Sequence, residues 1–163
     1  MKNFRALEES GQALIELAIS LPLLLSMLLG MSELGNLFYC AIEVTNSARA
    51  AAQYATMNGG AFSITNSSGL DTTGMLQAAQ SDSNNLGTAV SFSSTPTYSC
   101  TCADGTANYS CNVVGSYPSG CSSSHLIVTV TVHTQGTFTP RIKIPGLPAS
   151  YILQGSSIEE VLQ

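Results

Sequence analysis

A run of apolar residues long enough to cross a bilayer holds a single ionisable side chain, and that combination restricts this chain more than anything else in it. The run reads GQALIELAISLPLLLSMLLGMS over residues 11–32, and its only charge is Glu16, five positions after Gly11. A hydrocarbon core ~30 Å thick needs ~20 helical residues at ~1.5 Å each, a length that residues 12–32 supply. Lys2 and Arg5 precede the run, and no Lys or Arg follows it until Arg49. Because flanking Lys and Arg set orientation, the N-terminus is expected to stay cytoplasmic and the rest to cross. A secretory signal fits poorly, since its apolar core is only ~7–15 residues long. A cut after Gly30 would also put Leu28 where a small residue is needed. A core helix of a soluble protein fits no better: an all-round apolar helix needs a large shell, and the remaining chain is polar and irregular.

Glu16 is costly where it stands. An unpaired carboxyl inside an apolar helix is penalised by ~2.5 kcal/mol or more in lipid, unless it lies close enough to the interface to reach water. Cleavage of the Gly11-Gln12 bond would create a new ammonium near the membrane surface, within reach of Glu16 of an adjacent subunit. Opposite charges attract strongly in a low dielectric, so the pair would hold neighbouring copies in axial register.

A small residue, a cut, and a hydrophobic helix with Glu at its fifth position resemble the class III signal of type IV prepilins. More specifically, GQALIELAISLPLLLSMLLGMSELGNLFY followed by AIEVTNSARAAAQYA is similar to the TadE-like pseudopilins of tight adherence (Tad, or Flp) secretion systems. The shared features fall on Gly11, Glu16, residues 21–25, Glu33 with Gly35, and residues 45–55. The likeness is tight over residues 11–57 and looser beyond; Glu8 and Glu9, just before the cut, depart from the more basic leader of the family. The resemblance implies that a prepilin peptidase cuts between Gly11 and Gln12 on the cytoplasmic side. It also implies that the mature helix waits in the inner membrane lipid with its domain in the periplasm. The implied partners are other pilins or pseudopilins and the inner-membrane pilus assembly platform, and the implied task is to prime or cap a filament used in adhesion or secretion. The competing reading is a membrane-tethered, adhesin-like binding module whose helix is a simple anchor; an anchor has no reason to keep Glu16.

The helix is expected to outlast the membrane. Leu34, Leu37, Phe38, Ala41, Val44, Ala48, Ala51, Ala52 and Ala55 recur at spacings of three and four, the mark of an amphipathic helix. Asn58-Gly59-Gly60 then supplies a stop. Pro22 removes one backbone hydrogen bond and is expected to bend the membrane half, with Gly35 a second soft point. Because Ala48, Ala51 and Ala55 are small, whatever packs on them approaches closely: either the protein's own sheet or the helix of a partner. Arg49 is the only basic residue of this half, positioned to bond carbonyls of the outer domain or to reach a partner.

Beyond residue 60 the pattern turns to strands. Residues 75–82 suit a short helix with Leu76 and Ala79 inward, and residues 89–94 begin a β alternation. Asp104-Gly105 marks a turn between two strand-like arms. In residues 125–134, Leu126, Val128, Val130 and Val132 share one face and His125, Ile127, Thr129, Thr131 and His133 the other. Pro140, Pro145 and Pro148 make a loop, and SIEEVLQ closes the sheet. The expected fold is α+β and pilin-like: a long N-terminal helix packed on a small antiparallel sheet. Its parts are a leader (1–11), a transmembrane half (12–32), a periplasmic amphipathic half (33–57) and a β-rich domain (58–163).

Charge and cysteine narrow the function. Only 9% of the 163 residues are charged and the net charge is -5, which leaves no basic footprint for nucleic acid and little to bind acidic lipids. Cys100, Cys102, Cys111 and Cys121 cluster in the part placed in an oxidising compartment, where two disulfides are expected. Three pairings are open, with Cys102 to Cys111 and Cys100 to Cys121 favoured by the intervening turn. A zinc site is disfavoured, since Cys-x-Cys with gaps of eight and nine residues is not a ribbon spacing. Cys40 stands apart and reads as a small packed residue, with an intermolecular bridge the rarer option. His125 and His133 lie ~26 Å apart along one strand face, and no nucleophile, paired-carboxylate or phosphate-loop pattern is present. The expectation is a protein without catalytic activity, cofactor or metal.

Overall fold

The computed structural model describes residues 3–57, 62–63, 69–86, 89–105, 108–109, 126–143, 146 and 148–161. Contacts divide the chain into two compact units, Met1–Phe38 and Tyr39–Gln163.

The first unit is helical. It contains the N-terminal part of α1 (Asn3–Met57), which has Pro22 inside it. Every residue from 11 to 32 is exposed. No shell of its own covers this apolar surface, so lipid or other chains must. Its small polar groups are satisfied within the helix: Ser20 Oγ donates to Leu17 O at 3.3 Å and Ser26 Oγ to Leu23 O at 2.8 Å. This back-bonding lets serines sit in an apolar solvent without orphaned hydroxyls.

The second unit is an α+β domain. After the remainder of α1 come a two-residue pair β1 (Phe62–Ser63) and β2 (Gly69–Leu70), then α2 (Thr72–Asp82) and a 3-10 turn (Asn84–Leu86). The main sheet follows: β3 (Ser91–Cys102), β4 (Asn108–Tyr109), β5 (Leu126–Phe138) and β6 (Tyr151–Val161), in the spatial order β4-β3-β5-β6, antiparallel throughout. Three long strands and one two-residue strand thus make the small sheet. β3 runs on through Pro96, and its register against β5 shifts between Phe92 and Ser94 and again between Ser94 and Thr97. A bulge absorbs the missing proline N–H, so one strand carries a sequence that reads as two separate pieces. Gly105 N donates to Cys102 O at 2.9 Å, and Gly105 has φ +78°; the expected turn is there.

The inward faces agree with the alternation over Val128, Val130 and Val132, all buried. Ala51, Ala52, Ala55, Met75, Ala79, Val130 and Val132 form one buried cluster, edged by Tyr54, Leu70 and Phe92. Met75 rather than Leu76 is the buried residue at the start of α2. Asp71 caps that helix, accepting from Gly74 N at 3.1 Å, and also accepts from Tyr54 Oη at 3.2 Å. One aspartate therefore starts α2 and ties it to α1.

Two strands are longer than their patterns, β5 by four residues beyond Thr134 and β6 by six before Ser157. The reason is the closeness of α1. Thr134 Oγ1 donates to Val44 O at 2.7 Å, and Ser47 Oγ donates to the same oxygen at 2.7 Å. A Cβ on Gly155 would stand 2.5 Å from Val44 O and 2.8 Å from Thr45 Cα, and one on Gly136 would stand 2.8 Å from Val44 Cγ2. Glycine is required where two backbones meet this closely. The inward positions of the extended strand ends, Thr134, Gly136, Gly155 and Ser157, are buried yet carry no large apolar group, so alternation is invisible there.

Gly155→Ala should lower unfolding free energy by ~1–3 kcal/mol through overpacking against backbone, read as the denaturant midpoint of the detergent-solubilised protein. Gly30→Ala, where a Cβ meets nothing within 4 Å, should be neutral or raise helix stability by up to ~1 kcal/mol.

Candidate functional site

The residues singled out around the proposed cut lie at one end of the apolar helix. Gly11, Gln12 and Glu16 are all exposed. Gln12 Nε2 donates to Glu16 Oε1 at 3.2 Å, the one-turn spacing that puts i and i+4 side by side. Among the described residues, the donor shown beside Glu16 is thus a neutral amide. The same geometry brings the backbone of residue 12, where cleavage would free an amine, within one helical turn of the carboxylate. A Cβ on Gly11 would meet nothing within 4 Å, so its smallness is not demanded by packing within this chain.

Farther along, Pro22 and Gly35 are exposed, and a Cβ on Gly35 would also meet nothing within 4 Å. Glu33 is half-buried and engaged. Leu34 and Phe38, placed by periodicity on the inward stripe, are 54% and 64% exposed. The stripe that is buried runs instead through Cys40, Val44, Ser47, Ala48, Ala51, Ala52 and Ala55. Periodicity misses Ser47 because it is polar; its hydroxyl is spent on the backbone of its own helix. Of the two occupants open for the alanine face, the protein's own sheet and α2 take it: Ala48, Ala51 and Ala55 are at most 1% exposed. No partner helix can use that face while the domain is folded. Arg49 is exposed.

Cys100 and Cys102 are buried and disulfide-bonded, which removes them as thiolate ligands. Cys111 and Cys121, and with them the favoured pairing, lie outside the described residues, as does His125. Cys40 is a free, buried thiol. Burial raises its pKa and the nearby Glu43 carboxylate adds to this, against an opposing pull from Arg141. Among the described residues, no group of three His, Cys, Asp or Glu is placed to hold a metal.

Among the described residues one helix, within Gly11–Met57, is long and apolar enough to cross a membrane, and the chain continues from it into an α+β domain. Residues 11–53 match the family model described as TadE-like protein, so that segment is similar to the TadE-like proteins. No curated protein and no solved structure matches it. The matched segment begins at Gly11 and covers Glu16, Pro22, Glu33, Gly35, Arg49 and the first alanines of the buried stripe.

Cys40 should react with iodoacetamide at pH 8 at least roughly tenfold more slowly in the folded protein than in the urea-unfolded chain, since the thiolate is the reactive form. Because its folded pKa is raised, its contribution to stability is complete below the unfolded value and is lost as pH climbs through the folded one. Unfolding midpoints should therefore fall above about pH 9, and less so in Cys40→Ala.

Proposed function

We propose that this protein is a non-catalytic minor pilin, or pseudopilin, of a Tad-type pilus. In this reading a prepilin peptidase removes residues 1–11, and residues 12–32 hold the protein in the bacterial inner membrane with the α+β domain in the periplasm. It then joins other pilins at the assembly platform to prime or cap the filament.

The observation that carries this reading is the isolation of Glu16. It is the only ionisable group between residues 11 and 32, on a helix whose every residue there is exposed, with Gln12 its hydrogen-bond donor among the described residues. A charge kept at a cost of ~2.5 kcal/mol or more in lipid calls for a compensating partner. A new ammonium on the first residue of a neighbouring mature copy has the right sign and the right depth. The match over residues 11–53, which starts at the small residue preceding the proposed cut, supports the same reading. Coordination of neighbours through this pair would set how far each helix rises before it is captured, which is what a priming subunit must fix.

Two substitutions separate processing from assembly. Gly11→Val should leave the fold unchanged, since its Cβ meets nothing, and should accumulate protein that retains residues 1–11, read as a mass difference on membranes from producing cells. Glu16→Ala should be processed normally and yet recover other pilins by co-purification at least roughly tenfold less well, corresponding to ~1.4 kcal/mol of lost pairing. Normal co-purification by Glu16→Ala would refute the pairing role.

A further inference from the structure

The connection between β5 and β6, residues 139–150, carries two of the three cations found after residue 5: Arg141 and Lys143, with Ile142 between them. All three are exposed, Ile142 at 38%. The packing fixes which end of the domain they occupy. Val130 and Val132 lie against Ala51, Ala52 and Ala55, Thr134 bonds Val44 O, Gly136 faces Val44, and past Phe138 the charge of Arg141 is felt at Cys40. Advancing along β5 therefore means retreating along α1, toward the residues that leave the membrane-length run. Glu43 is an acid at that end, and Glu33 stands seven residues before Cys40 on the same helix, where it is engaged. The other acids of the sheet lie at the far end: Glu159 and Glu160 pair with Val130 and Thr129, and Asp104 follows the end of β3 at Cys102, opposite Leu126. In a chain of net charge -5, the Cys40 end of the sheet thus carries two cations around an aliphatic residue, with the acids of the sheet strands at its other end.

Cys40 is eight residues beyond Ser32. That length of chain spans ~12 Å as helix and at most ~29 Å fully extended, so Cys40 is tethered within that reach of the end of the apolar run.

We infer that residues 141–143 rest on anionic phospholipid at the face where the helix emerges, with Arg141 and Lys143 on headgroup phosphates and Ile142 in the headgroup layer. This rests on the membrane-anchored reading above. Each cation near an anionic surface strengthens association roughly fivefold, and an aliphatic side chain between cations suits the interface. The anchor makes the contact intramolecular, so a weak site is still occupied. Its effect is to orient the domain on the membrane before assembly. Composition, which counts only five cations in the whole chain, points away from lipid binding; the fold reverses this by gathering two of them at one end.

The chain has no Trp, so Ile142→Trp in the full protein provides a single fluorophore at the site. It is placed in nanodiscs of phosphatidylcholine alone or mixed with phosphatidylglycerol, with lipid spin-labelled near the headgroup. The expected result is blue-shifted, quenched emission in the anionic discs. The contact should weaken roughly fivefold with each of Arg141→Gln and Lys143→Gln, be kept in Arg141→Lys, and be lost in ~0.5 M NaCl, where charges are screened within a few ångströms. Equal emission in both lipids, or a shift seen only when another pilin is added, would overturn the proposal and leave the anchored reading standing. Failure of the protein to enter the discs at all would overturn both.

Discussion

The apolar surface of residues 11–32 is exposed on every side, and the rest of the molecule answers to that. Burial of such surface is worth about 25 cal/mol per Å², so in water the segment would drive aggregation. In a bilayer it is at rest, and Ser20 and Ser26 are already satisfied by backbone carbonyls one turn back. Lipid then makes Glu16 the one group out of place. A carboxylate beside an amide donor is tolerable at a membrane surface or beside a cation, and in the proposed reading a processed neighbour would supply the cation. The pilin role rests on this chain of constraints, with the TadE-like match over residues 11–53 as independent support.

A second constraint governs the folded domain: the backbone of α1 at Val44 lies almost in contact with the sheet. Thr134 and Ser47 both donate to Val44 O, and Gly155 and Gly136 are bare so that the helix can come down. Small residues on the helix, Ser47, Ala48, Ala51 and Ala52, complete the fit. This close seat consumes the alanine face within the chain. In the proposed reading, contacts with other pilins would use other side chains, such as Leu34, Phe38 and Ile42, all more than half exposed.

Much of this is legible in the residues. The membrane-length run, the isolated Glu16, the long helix, the Asp104-Gly105 turn and the buried Val128, Val130 and Val132 face are carried by strong local signals: hydrophobic length, period and turn chemistry. What is not legible shares one cause. Where α1 meets the sheet, closeness demands Gly, Ser and Thr rather than bulk, so β5 past Thr134 and the first half of β6 show no apolar alternation, and Ser47 hides in the buried stripe. Leu34 and Phe38 mislead for the opposite reason. They are large and apolar, but periodicity alone cannot tell a face turned to the protein's own core from one turned elsewhere. The gathering of Arg141 and Lys143 at the Cys40 end is likewise hidden, because it depends on the direction of β5 along α1 and on nothing local.

Pairing of Glu16 with a neighbour requires that residue 12 become a free amine. The intact mass of the protein extracted from the membranes of its own cells measures this directly. A chain beginning at Gln12, with or without a modified amine, is the predicted result. A chain that still begins at Met1, or one cut after Gly30, would leave Glu16 without its counter-charge and contradict the account.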